Sequence, residues 1–291
     1  SMLLVAAAWL TVPWVVAAQA LSGIAKDLNK MSAKSSIKLL VPSDQQGTLF
    51  RWVAALTGSK NALKGIGFFL GGALLTTIGF KASVAAMAAA LALVLVLSLA
   101  LLKRDLGKAK SKPKFREILS KSRAINLLSG ARLFLFGARD VWFVVALPVF
   151  LAQSLGWDFW QVGGFMAAWV IGYGIVQSVA PFVIGRRSGH APSGRSAFGW
   201  AAVLAIIPAT MAVLFARQVP PQNIVVVGLA VFGVLFAINS ALHSYLIVSY
   251  AAQDGVSLDV GFYYMANALG RVLGTVLAGW VFQVGGLGAC L

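Results

Sequence analysis

The stretch SVAAMAAALALVLVLSLALL, residues 83–102, carries no charge and holds almost nothing but Ala, Leu and Val. A run of about 20 such residues is the length a helix needs to cross the hydrocarbon core of a bilayer. In lipid, every backbone N–H and C=O must find its partner inside a helix or a closed barrel. A barrel would show short alternating segments of roughly ten residues. This sequence instead has long apolar runs interrupted by glycine, so helices are the answer. Its composition agrees: 59% hydrophobic and 11% charged residues over 291 positions, with a mean hydropathy of +0.86. Soluble domains hold about 45–50% apolar and about 25% charged residues. The predicted fold class is an all-α polytopic membrane protein.

Further spans lie on both sides of this stretch. Upstream, one helix is predicted from about Trp14 to Leu40, between a turn or kink at Pro13 and a stop at Pro42. Another runs from about Gly47 to Gly79, polar first and apolar later. Downstream, spans are predicted at about 126–154, 159–184, 197–216, 223–250 and 257–284. The opening run from Met2 reads as the tail of a further span, and the closing glycine-rich segment as the start of another. The sequence is therefore expected to be part of a longer protein.

The net charge of +16 raises the question of nucleic acid, but its distribution answers it. Nine of the 24 basic residues fall between Lys103 and Arg123, in a polar linker between spans. The segment Gly185–Arg195 is basic too. Basic loops mark the cytoplasmic side and face anionic lipid. An even number of predicted crossings separates the two, so the topology is self-consistent. The single cysteine, Cys290, excludes an intrachain disulfide and a cysteine metal cluster. His190 and His243 fall in unrelated places. A phosphate-cradling Gly-Lys loop, a dinucleotide fingerprint and a nucleophile elbow are all missing. No cofactor, metal or enzymatic activity is expected.

The chemistry lies in ionisable residues within the spans, which usually face a bundle interior or a wet path. Lys26, Lys30, Lys34 and Lys38 recur every four residues, forming one slowly wrapping stripe on a helix. Such a stripe repels itself unless it lines a wet cavity that receives an anion. Lys60 and Lys64 repeat the spacing. Arg132 and Arg139 share a face two turns apart, and Asn267 and Arg271 share one by the i,i+4 rule. Acids are few. Asp27 would pair with a basic residue on another helix or carry a proton, and Asp140 would neutralise an arginine elsewhere. The excess of positive charge suits a substrate with two or more negative charges.

Blander roles stand beside these. Lys38, close to the end of its helix, equally suits a reach to headgroups. Arg51 and Lys81 read as interfacial residues. Gly67, Gly71, Gly72, Gly172, Gly174, Gly270 and Gly274 suggest close helix packing. Trp157 and Trp160 fit an interfacial belt, whereas Trp142, Trp169 and Tyr173 suit a belt or a cavity. A scaffold whose basic faces bind anionic lipid is the competing class.

The arrangement resembles the major facilitator superfamily, in which two six-helix halves flank a long basic loop. On that pattern residues 1–102 would be the later part of the first half, 103–125 the linker, and 126–291 the second half without most of its last helix. The bundle would be incomplete, holding the end of the third helix through the eleventh. A narrower resemblance rests on AQALSGIAKDL (18–28) with KMSAKS (30–35), GSKNALKG (58–65) and GARDVWF (137–143). These look like the organoarsenical efflux permeases of bacterial arsenic-resistance clusters. That resemblance implies export of 1-arseno-3-phosphoglycerate across the bacterial inner membrane and hence arsenate resistance. It implies a functional link to glyceraldehyde-3-phosphate dehydrogenase without direct binding. The expected substrate-binding residues are Lys26, Lys30, Lys34, Lys60, Lys64, Arg132, Arg139, Asn267 and Arg271. Asp27 and Asp140 are the proton-coupling candidates. Another organophosphate or anion remains the alternative substrate.

Overall fold

A computed structural model describes residues 11–101, 122–188, 192–252 and 255–291, and all regular structure within them is helical. The helices are α1 (Val12–Leu40), α2 (Gln46–Leu101), α3 (Arg123–Phe143), α4 (Ala146–Gln153), α5 (Phe159–Ser188), α6 (Gly194–Ala216), α7 (Pro221–Tyr250) and α8 (Val256–Cys290). Among the described residues, six helical segments are long and apolar enough to cross a membrane, α3 with α4 counting as one. The helix α1 falls outside that apolar group because its lysine stripe fills its middle. The chain is an all-α, multi-pass membrane bundle. The opening run from Met2 and nearly all of the basic linker lie outside the described residues.

Local chemistry explains the boundaries. Pro13 sits in the first turn of α1, where its missing N–H leaves no gap in the ladder, and it marks the start of the helix. The helix α2 spans 56 residues, about 84 Å at 1.5 Å per residue, enough for two crossings. It breaks at Gly79, whose φ of 73° lies in the region that favours glycine. Residues 46–78 and 80–101 are thus separate spans, as the sequence pattern predicts. Beyond the break, Leu91, Leu93, Val94, Leu95 and Val96 are exposed, the surface lipid tails would cover.

The helix α7 forms the core. Residues 236–248 are buried without interruption. One apolar cluster joins α2, α5, α7 and α8 around Phe50, Val53, Leu242, Tyr245 and Tyr263. A second joins α3, α5 and α7 around Phe136, Trp142, Tyr173, Phe232 and Phe236. The glycine expectations are met selectively. Gly174 packs against Gly58 and Ala62 of α2, so closely that a Cβ would strike backbone. Gly270 and Gly274 meet the carbonyls of Leu133 and Gly137 on α3 in the same way. Gly67, Gly71 and Gly172, by contrast, face open space, so packing does not explain them. Gly58 and Gly65 do that work on α2 instead.

The end of the bundle that holds the C-termini of α1 and α7 is tied together by hydrogen bonds. Lys38 Nζ donates to the Ser249 carbonyl at 3.0 Å, so it caps α7 rather than reaching headgroups. Tyr245 and Ser249 hydroxyls each donate to Gln46 Oε1 at 3.1 Å. Ser257 Oγ and Ser35 Oγ meet at 3.2 Å. The Tyr250 hydroxyl accepts from the Gly194 N–H, which places this end beside the start of α6.

Gly174→Leu should force α5 away from α2 and cost about 1–3 kcal/mol or more by overpacking. Gly172→Leu, facing open space, should be nearly neutral. Thermal unfolding in detergent compares them, and equal shifts would contradict the packing described.

Candidate functional site

The lysine stripe turns as it descends. Four residues advance an α-helix by about 40° beyond one full turn, so successive lysines move around α1. Lys26 is exposed, Lys30 half-buried, and Lys34 only 2% exposed. Lys30 Nζ lies 3.6 Å from Asp27 Oδ1 and 3.5 Å above the ring of Tyr264. Asp27 therefore pairs on its own helix, three residues away, and not with a neighbouring helix as expected. Lys34 Nζ lies 5.2 Å from the same ring and has no hydrogen-bond partner among the described residues. With Lys60, Thr57 and Ser59 of α2 these side chains enclose a cavity of about 360 Å³.

A second cavity of about 520 Å³ lies further toward the opposite end, where α2, α3, α5 and α8 meet. Lys64, Arg139 and Arg271 supply its cations, and Phe68, Trp169 and Tyr173 much of its wall. Trp169 and Tyr173 stack with planes 10° apart, and Trp169 Nε1 donates to the Leu229 carbonyl at 2.8 Å. Both are thus cavity residues rather than belt residues, and Trp142 is core. Lys26 lies within electrostatic range of both Lys60 and Lys64.

One carboxylate organises the larger cavity. Asp140 is fully buried at 0% exposure and accepts from two arginines. Arg139 reaches Oδ1 through Nε at 2.6 Å and also through Nη2. Arg271 Nε reaches Oδ2 at 2.8 Å from α8. The guanidinium of Arg139 further lies over Phe136 and Phe236, at 4.6 and 5.1 Å. Such fully occupied, hydrogen-bonded pairing is what permits ionised groups inside a bundle.

Arg132 and Asn267 are placed differently. Arg132 is buried, stacks 3.7 Å from the Phe136 ring and donates to Asn267 Oδ1 at 3.0 Å and Ser240 Oγ at 3.2 Å. Gln177 Nε2 reaches the same Ser240 hydroxyl at 3.2 Å, and Asn61 Nδ2 reaches Gln177 Oε1 at 2.6 Å. The result is a polar chain from α8 and α3 through α7 and α5 to α2. Neither Arg132 nor Asn267 lines either cavity; both stand in the wall between helices. Sequence reasoning missed Tyr264, Asn61 and Ser240. Tyr263, Asn267 and Arg271 share an i,i+4 face, a spacing that already pointed at this part of α8. Among the described residues, no group of three His, Cys, Asp or Glu side chains gathers.

A multi-pass helical bundle with basic cavities between its spans is built as a transporter of small molecules. Residues 1–275 match the Major Facilitator Superfamily, and the chain belongs to it. It is accordingly a secondary transporter in class. No curated protein and no solved structure gives a significant match.

Asp140→Asn should leave Arg139 buried without its counter-ion and cost about 3–5 kcal/mol. Arg271→Gln should cost clearly less, because its side chain is 45% exposed and water takes over. Detergent thermal unfolding ranks the two; the reverse order would contradict the role assigned to Asp140.

Proposed function

We propose that this protein exports a small organic polyanion, with 1-arseno-3-phosphoglycerate as the first candidate, and thereby confers arsenate resistance at a bacterial inner membrane. The carrying observation is the imbalance of charge around the two cavities. Lys30, Lys34, Lys60, Lys64, Arg139 and Arg271 line them, against the carboxylates of Asp27 and Asp140. An anion would answer the surplus positive charge and give Lys34 the partner it lacks, through charge-assisted hydrogen bonds of about 1.5–3 kcal/mol each. The motifs shared with organoarsenical efflux permeases support the choice of substrate.

In this reading Lys26 draws the anion in electrostatically, and the cavity cations hold it. Arg132 and Asn267 position their neighbours from the wall. Residues 1–102, the later part of the first half, and 126–291, the second half without most of its last helix, are joined by the linker 103–125 and rock about a site near the membrane midplane. Asp27 suits proton coupling better than Asp140. It is 54% exposed beside Lys30, whereas Asp140 is fully committed to two arginines.

Export of 1-arseno-3-phosphoglycerate from loaded vesicles carrying the protein tests the substrate. Lys30→Gln and Arg139→Gln, verified as folded, should each lower export at least about tenfold, matching the loss of one charge-assisted bond. Absence of export by the folded, correctly oriented wild type under a driving gradient would overturn the substrate. Separately, collapsing the pH gradient at fixed membrane potential should slow export, and Asp27→Asn should remove that dependence. Export unchanged by the collapse would overturn proton coupling.

A further inference from the structure

The larger cavity changes character along its length. Its cations gather at one end, where Lys64 lies within electrostatic range of Arg139, Arg271 and Asp140. Among the described residues, no other charged side chain lines it. On α2 the lining continues from Lys64 through Phe68, Gly71 and Gly72 to Leu75, eleven residues or about 16 Å of helix. On α3 and α4 it passes from Arg139 through Phe143 to Pro148. The helix α5 runs antiparallel to α2: Gly65 packs against Ala167 and Ile171, and Gly72 faces the Trp160 ring. Trp160 and Gly163 of α5 therefore lie at the end opposite the cations. One end of the cavity is cationic and the other is apolar and ring-lined.

Glycines keep the apolar end open. A Cβ added at Gly71 or Gly163 would meet no atom within 4 Å, so helix packing requires neither glycine. Both line the cavity, which a larger side chain at either position would fill. At about 520 Å³ the cavity falls in the range, about 300–1,000 Å³, that encloses a drug-sized molecule. Lys64, Arg139 and Arg271 against the one carboxylate of Asp140 leave a surplus of two positive charges at the cationic end. A second charge at the other end would lose its water and find no partner, whereas an apolar group there gains by leaving water. We infer that this cavity takes a small, soluble amphipathic anion, with a single phosphonate- or phosphate-like head on Lys64, Arg139 and Arg271 and an apolar, ring-bearing tail between α2 and α5. The head rests on the anion-export reading. The tail goes beyond it, because a compact polar anion would leave the apolar end unused.

Calorimetry on the purified protein in discs of zwitterionic lipid, corrected for empty discs, compares three probes. Methylphosphonate is the head alone, 4-phenylbutan-1-ol is the tail without a charge, and 4-phenylbutylphosphonate has both. The last should bind at least about tenfold more tightly than either of the others, for the tail the equivalent of burying about two methylene groups. Gly71→Leu should fill the apolar end and bring the ratio of 4-phenylbutylphosphonate to methylphosphonate below about threefold. Gly163→Leu gives the same readout from the opposite wall should Gly71→Leu fail to fold. Equal affinity for the two phosphonates would overturn the tail site while leaving anion export intact, and so would a ratio that survives both substitutions. Equal affinity for 4-phenylbutylphosphonate and the alcohol would overturn the role of the cationic head. Loss of 4-phenylbutylphosphonate binding in discs that also contain phosphatidylglycerol would assign the cavity to a lipid and overturn the soluble ligand. Binding of no probe, by protein shown to be folded, would overturn the amphipathic site and the anion reading together.

Discussion

The carboxylate of Asp140 is the contact on which the arrangement of cations depends. It is buried completely, yet it satisfies Arg139 on its own helix and Arg271 on α8. The two guanidinium groups would otherwise repel each other, and the buried Arg139 would carry a desolvation cost of several kcal/mol. Sharing one anion leaves the pair net positive while giving each arginine a partner. It also pins α3 to α8, where Gly137, Gly270 and Gly274 have already brought the backbones too close for any side chain between them. The glycines set the distance and the carboxylate sets the register. Loss of either would move Arg271 relative to Lys64 and so change the cavity they share.

The wall behind this pair is polar without being open. Arg132, Asn267, Ser240, Gln177 and Asn61 form a chain of hydrogen bonds that touches α8, α3, α7, α5 and α2 in turn. Every link crosses between helices, so each relative rotation of those helices strains at least one bond. Polar groups buried in this way stabilise one arrangement of helices against others of similar apolar burial. The lysines lack such support. Lys34 has no partner among the described residues, and Lys30 has only a half-exposed carboxylate and an aromatic ring. The bundle thus contains a satisfied arginine region beside an unsatisfied lysine region. An incoming anion would supply the second with partners and would answer the surplus positive charge of the first.

Much of this was legible in the sequence because the bilayer imposes simple rules. Apolar runs of bilayer length gave the spans, and the break at Gly79 followed from the gap between two such runs. The i,i+4 spacing correctly grouped Asn267 with Arg271 on the face of α8 that meets α3. Spacing could not separate cavity from wall, however. Arg132 and Arg139 share a face two turns apart, and both lie over Phe136. Yet only Arg139 lines a cavity, because Ser240 and Asn267 happen to meet Arg132 across two other helices. Such partners are set by tertiary packing, which leaves no local signal. The same holds for Asp27, whose partner proved to be three residues away, and for Gly67, whose spacing suggested packing that α5 does not provide.

The closed end of the bundle shows how a secondary transporter can hold one state without being locked in it. Lys38, Gln46, Ser35 and their partners join α1 and α2 to α7 and α8. Phe50 and Tyr245 add a ring contact at 5.0 Å. Each hydrogen bond there contributes only about 0.5–1.5 kcal/mol net, since water would replace it on opening. A handful of such bonds amounts to a few kcal/mol, the gap across which a ligand with unequal affinity for two states shifts their populations. The Arg139–Asp140 contact behaves oppositely, because both groups are buried and parting them would leave charges unpaired. Motion between states should therefore part the bundle at the Lys38 end and leave α3 and α8 together. Arg139 and Arg271 would then travel together with Asp140, while Lys64 of α2 and the lysines of α1 change their distance from them.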